Sequence, residues 1–110
     1  MKLSNYEKAL IDNEKILNYL LSETHPVGKF KAKFFRSLGF NANNADLLKN
    51  ALLQIACDGT VTKAIDTPFG VKYIIEGFLP TPIGQTVNIL TVWIIEKGEK
   101  ILRFVTAYPK

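Results

Sequence analysis

The sequence has one cysteine, one histidine, and no hydrophobic run long enough to cross a bilayer. A lone cysteine excludes an intramolecular disulfide framework, and with no CxxC pair or Cys/His cluster no structural zinc site is expected. The longest apolar stretch near the C-terminus, Ile89-Leu90-Thr91-Val92-Trp93-Ile94-Ile95, falls far short of the roughly 20 residues a membrane helix needs. Residues 1–8 are polar and lack the apolar core and small-residue cleavage site of a signal peptide. No membrane partner is therefore expected, and cytoplasm is the expected location, although a toxin domain delivered by another module would carry the same signature. The phosphate-binding pattern GxxxxGK[ST], the dinucleotide pattern GxGxxG and the nucleophile elbow GxSxG are all missing. Acidic residues number ten, and those of the second half (Asp58, Asp66, Glu76, Glu96 and Glu99) are scattered. Metal-assisted hydrolysis needs converging carboxylates or histidines, so no metal and no cofactor is expected. Cys57 falls at the end of an expected helix, the wrong pole of the dipole for a thiolate, which favours a buried structural thiol.

What remains is a chain of 110 residues, 47% hydrophobic, with 14 basic residues and a net charge of +4. That length supports one hydrophobic core, so residues 1–110 are read as a single domain. Residues 12–21 place Ile16, Leu17, Leu20 and Leu21 on one helical face, with Asp12 as N-cap, and Pro26 forces a stop. A second helix is expected over about 28–38, with Phe30, Phe34 and Leu38 as its stripe and Gly39 as its stop. A third is expected over about 45–57, capped by Asn43 or Asn44, closed by Gly59, and buried through Leu47, Leu48, Ala51, Leu52 and Ile55.

After Gly59 the composition turns β-branched and aromatic. Strands are expected over 60–65, 70–78, 86–96 and 100–108, separated by turn signals at 66–70, 80–84 and 97–99. Connections this short join antiparallel neighbours. The expected fold is α+β: three N-terminal helices, about 12–57, then a four-stranded antiparallel meander, about 60–108.

The chemistry concentrates where the first two helices meet. No acidic residue lies between Glu23 and Asp46, and that gap holds His25, Lys29, Lys31, Lys33 and Arg36. At about 100° per residue, Lys29, Lys33 and Arg36 share one helical face, whereas Lys31 falls inside the apolar arc between Phe34 and Phe35. The basic face is either a solvated surface or a row of phosphate contacts that would give salt-sensitive, sequence-independent affinity for RNA. Lys31 must snorkel to the edge or sit in a cleft with a lowered pKa. His25, before the helix start, is either a polar loop residue or a titratable group beside an anion site, as acid–base cleavage of RNA requires. At the other end of the chain, alternation puts Thr106 and Tyr108 on one face with Leu102 and Phe104, where they line a groove or edge the core. Trp93 reads as a core anchor rather than a base-stacking platform.

The run His25-Pro26-Val27-Gly28-Lys29-Phe30-Lys31-Ala32, with Phe34, Phe35 and Gly39, the Trp93 strand and the ending Val105-Thr106-Ala107-Tyr108-Pro109, resembles the uncharacterised bacterial domain-of-unknown-function family 6883. The helices-then-sheet order and the terminal Thr106-Ala107-Tyr108-Pro109 also resemble the barnase/EndoU/colicin/RelE group of metal-independent toxin ribonucleases. That second resemblance implies catalytic roles for His25, Lys31 and Tyr108, substrate binding by Lys29, Lys33, Arg36 and Thr106, and RNA as partner. Many such toxins add a second histidine or a glutamate from the sheet. This chain has no second histidine, so Lys31 or Tyr108 would complete the acid–base pair. The reading from the other functional class is a non-catalytic interaction domain of a two-protein operon, with a small acidic protein as partner. Residues 1–55 hold 8 basic and 5 acidic residues and residues 56–110 hold 6 and 5, so the basic excess is local and sits beside the single histidine.

Overall fold

The computed structural model describes residues 9–12, 16 and 29–110, with the side chains of residues 29–31 outside that description. The helix expected over 12–21 therefore lies almost wholly outside the described residues. The second expected helix is α1, Lys29–Ser37, and the third is α2, Ala45–Asp58. A four-stranded sheet follows: β1 Thr60–Thr67, β2 Gly70–Pro80, β3 Thr86–Glu96 and β4 Arg103–Pro109. The strands lie in chain order and every pair is antiparallel. The architecture is α+β, with two α-helices rather than three among the described residues. None of the helices described is long and apolar enough to cross a membrane.

The helices form as local chemistry dictates, with two departures. α1 stops short of Gly39, whose φ of 97° is easy only for glycine. Its buried residues are Ala32, Phe35 and Leu38; Phe34, expected in the stripe, is only half-buried and packs edge-on against Phe35 with ring centroids 5.1 Å apart, and the side chain of Phe30 lies outside the description. The cap of α2 is also displaced. Asn44 precedes the helix but makes no side-chain cap bond to it. Its amide is used backwards: Oδ1 accepts from the Asn41 N–H at 2.7 Å and Nδ2 donates to the Gly39 carbonyl at 2.9 Å. Asn41 returns the bond by accepting from the Asn43 and Asn44 N–H groups, so capping occurs one 3-10 turn earlier, over Ala42–Asn44. At the far end the Gly59 N–H closes α2 on the Ile55 carbonyl at 2.7 Å. Leu48, Leu52, Ile55 and Ala56 are buried, but Leu47 is 55% exposed and so leaves the expected stripe.

One face of the sheet carries the core. Ile75, Leu79, Ile89, Trp93, Phe104 and Ala107 pack there with Phe35, Phe40, Leu48 and Leu52, and Ile11 and Ile16 join the same cluster. α2 crosses β2 closely enough that a Cβ on Gly77 would sit 2.7 Å from Ile55 Cγ2. Trp93 is fully buried and meets Phe104 edge-on at 5.3 Å, the core anchor its sequence context implies. Its indole N–H donates to the Thr91 hydroxyl at 2.7 Å, and that hydroxyl donates to the Ile75 carbonyl at 2.8 Å. The N-terminal stretch lies along β4: Leu10 N–H donates to the Leu102 carbonyl at 2.8 Å and Phe104 N–H to the Leu10 carbonyl at 2.9 Å.

Candidate functional site

Strand parity places residues 72, 74, 76 and 78 of β2 and 88, 90, 92 and 94 of β3 on the face opposite the core, because Trp93, Thr91 and Ile75 face inward. No described element packs on that outer face. Its centre is apolar and half-buried (Ile74, Leu90, Val92 and Ile94), and Lys63, Lys72, Arg103 and Lys110 stand around it.

β4 joins the outer face by way of a bulge. Trp93 pairs with Phe104 while Val92 pairs with Thr106, so Val105 is an extra residue in the ladder. Simple alternation would set Thr106 and Tyr108 on the core side with Leu102 and Phe104. The inserted residue reverses the parity: Ala107 faces the core opposite Thr91, and Thr106 and Tyr108 face out opposite Val92 and Leu90, both half-buried.

The outer face holds a polar group assembled from three distant points of the chain. Glu76 accepts from Asn88 Nδ2 at 3.0 Å and from Lys110 Nζ at 3.0 Å through the same oxygen, Oε2. These two hydrogen bonds, the Asn88 one first, hold the Glu76 carboxyl below the usual carboxylate range. It is therefore an anion at neutral pH. Tyr108 lies in the same cross-strand row, two strands along: it pairs with Leu90, which itself pairs with Glu76. The Asn88 carbonyl oxygen is buried with no hydrogen-bond partner. Sequence reading missed this group because Glu76, Asn88 and Lys110 share no motif. The signal available was parity: Glu76 and Asn88 are polar residues at outward positions of strands that are otherwise apolar.

The remaining predicted residues divide by place. Lys33 and Arg36 are exposed on α1, one turn apart, on the side away from Ala32, Phe35 and Leu38. Lys29 and Lys31 lie on the same helix, with side chains outside the description, and His25 lies outside the described residues altogether. The core side of α1 packs against the inner face of the sheet, so Lys33 and Arg36 do not share a face with Thr106 and Tyr108. Among the described residues no group of three or more His, Cys, Asp or Glu side chains is placed to hold a metal. Cys57, expected to be a buried structural thiol, is half-buried in the last turn of α2.

Clefts among the described residues border the sheet. One, of about 310 Å³, opens where α2 hands over to β1 and is lined by Gln54, Asp58, Thr60, Glu76, Phe78 and Asn88 among others. The second, of about 430 Å³, lies between the Leu10 stretch and the end of the β3–β4 hairpin, with Asp12, Glu96, Glu99 and Arg103 at its walls.

A family model described as a domain of unknown function, DUF6883, matches residues 2–110. Among solved structures, a chain from the contact-dependent growth inhibition toxin–immunity protein complex of Klebsiella pneumoniae 342 is similar at a TM-score of 0.72. The two are 19% identical, and the likeness covers 98% of each chain. At that identity it is a likeness of fold. The search of curated proteins found no match.

Proposed function

The chain belongs to the DUF6883 family, and for this member we propose a toxin-like, metal-independent ribonuclease whose catalytic surface is the outer face of the sheet. The observation that carries the reading is the Glu76–Asn88–Lys110 group beside Tyr108 and Thr106, on a face no described element covers. A fold shared over 98% of both chains with a member of a toxin–immunity complex supports it.

The chemistry needs no metal. The 2′-hydroxyl attacks the adjacent phosphorus, the bond to the 5′-oxygen breaks, and a 2′,3′-cyclic phosphate forms. A base takes the 2′-hydroxyl proton and an acid delivers one to the leaving 5′-oxygen. Glu76 takes the base role by position: it is ionised and held in place by Asn88 and Lys110, although the same bonds make it a weaker base than a free carboxylate. Tyr108, two strands and so about 10 Å away across the sheet, is placed to reach the far side of one nucleotide as acid. Lys110 offers positive charge for the phosphorane oxygens, and Thr106 a hydroxyl for positioning. By the fold-level resemblance to the toxin ribonucleases, His25 and Lys31 are proposed as further catalytic residues, with Lys29, Lys33 and Arg36 guiding the flanking phosphates.

The test is RNA cleavage in EDTA together with growth on induced expression. Wild-type protein is expected to leave cyclic-phosphate ends and to arrest growth. Glu76→Gln and His25→Ala should each lower the rate by roughly 10²- to 10⁴-fold, the usual size of an acid–base contribution. Intact RNA with wild-type protein would overturn the reading.

One observation favours a second reading, that of a partner-binding domain. The half-buried apolar row Ile74, Leu90 and Val92 with its basic surround suits an acidic protein surface. Stable co-elution with the acidic product of an adjacent gene, without any RNA cleavage, would favour it.

A further inference from the structure

We propose that the cleft where α2 meets β1 is a nucleobase subsite that prefers bases bearing an amino group to uracil. The proposal takes the RNA substrate from the ribonuclease reading, but the recognition itself is argued from the cleft.

The cleft exists because β1 starts late. Thr60 pairs with Glu76, so β2 beyond that point has an open edge, and α2 closes the gap by seating Ile55 against Gly77. Phe78 stands at this edge 69% exposed. A large aromatic left in solvent on the rim of a cleft offers a face on which any base can stack.

Beneath it the polar lining among the described residues is Gln54, Asp58, Thr60, Glu76 and Asn88, with Lys110 reaching Glu76 from the outer face. Each carboxylate already accepts a hydrogen bond, Asp58 from Gln54 and Glu76 from Asn88 and Lys110, and their acceptor oxygens reward donors on an incoming base. Guanine offers N1–H and its amino group, and adenine and cytosine offer exocyclic amino groups, whereas uracil presents two carbonyl acceptors around a single N–H. Asn88 supplies a second, independent sign. Its carbonyl oxygen is buried without a partner, a state rare enough in folded proteins to call for an explanation. A small rotation of the amide offers that oxygen to an incoming amino group at the cleft wall, next to the Glu76 carboxylate that already holds the amide nitrogen.

The subsite also fits the chemistry beside it. Glu76 belongs both to the cleft lining and to the outer-face group with Lys110. A base seated against Phe78 would leave its ribose at the Glu76 carboxylate, where the 2′-hydroxyl proton has to be taken.

The experiment measures binding of 2′-O-methyl tetranucleotides of A, C, G and U by fluorescence anisotropy, since a methylated 2′-oxygen cannot be cleaved. Wild-type protein should hold the three amino-bearing tetramers about tenfold or more tighter than the U tetramer. Phe78→Ala, a change at an exposed side chain, should leave thermal stability intact and weaken all of them by roughly 5- to 100-fold. Asn88→Ser should narrow the gap between U and the rest. Equal affinity for the four tetramers, or no effect of Phe78→Ala, overturns the subsite. Selective binding by a protein that cleaves no RNA leaves the subsite standing and defeats the ribonuclease reading alone. Cleavage that ignores both base identity and Phe78→Ala defeats the subsite alone.

Discussion

At the scale of single residues, the core is specified by a polar chain as much as by apolar volume. The Thr91 hydroxyl accepts from the Trp93 indole and donates to the Ile75 carbonyl, all within fully buried side chains. Thr91→Val keeps the shape and strands the indole N–H, so urea denaturation should show a loss of about 1–3 kcal/mol. In a Trp93→Phe background the same change should cost much less, and a double-mutant cycle reads that coupling. Glu76 provides a pH-dependent counterpart. Its carboxyl is held below the usual range by the Asn88 and Lys110 bonds, so the folded state favours the ionised form. The resulting stability is full above the ordinary carboxylate value and falls away as the pH drops through the depressed folded value. Glu76→Gln is expected to flatten that acid limb in melts taken as a function of pH. The burial of Trp93 was legible in the sequence from its place in an apolar β-run. The Glu76 group was not, because its members meet only once three strand registers are set.

At the scale of elements, local signals placed the boundaries well and parity failed at one point. The third helix, the four strands and their turns lie within a few residues of where caps, β-branched runs and Gly/Pro signals put them. The failure at Thr106 and Tyr108 is physical: a bulge at Val105 changes the count of residues in the ladder, and a strand's own alternation holds no record of its partner's register. The α2 cap failed for a similar reason, since Asn44 serves Gly39 and Asn41 instead of its own helix. The packing of α2 on the sheet depends on Gly77. Gly77→Ala would place a methyl 2.7 Å from Ile55, and overpacking of this kind costs about 1–3 kcal/mol. Ile55→Ala is expected to restore part of the loss when combined with Gly77→Ala, which thermal melts of the two singles and the double would reveal.

At the scale of the molecule, charge is divided between two surfaces. α1 exposes Lys33 and Arg36, and the outer sheet face is ringed by Lys63, Lys72, Arg103 and Lys110. Sequence pattern exposed the first surface, which is local in the chain, and hid the second, which is assembled by the sheet. If RNA runs from one to the other, binding should weaken steeply with salt, and Lys33→Ala with Arg36→Ala should lower the slope of log affinity against log salt by about 1–2 for single-stranded RNA. Filter binding across a salt series checks this.

The order β1-β2-β3-β4 along both chain and sheet bears on how the molecule is made as well as on its shape. β1 and β2 are joined by Pro68 and Phe69 alone, and the other two connections, residues 81–85 and 97–102, are also short. Each strand therefore meets its partner by closing a small loop, at little entropic cost. The outer face comes into being as successive hairpins zip together, each short closure bringing the distant Glu76, Asn88 and Lys110 closer, the cleft at its edge is completed by α2 beside β1, and topologies of this local kind fold quickly for sheet proteins. A surface built by pairing each strand with the next in the chain can be lost to unfolding and rebuilt from the sheet's own hairpins.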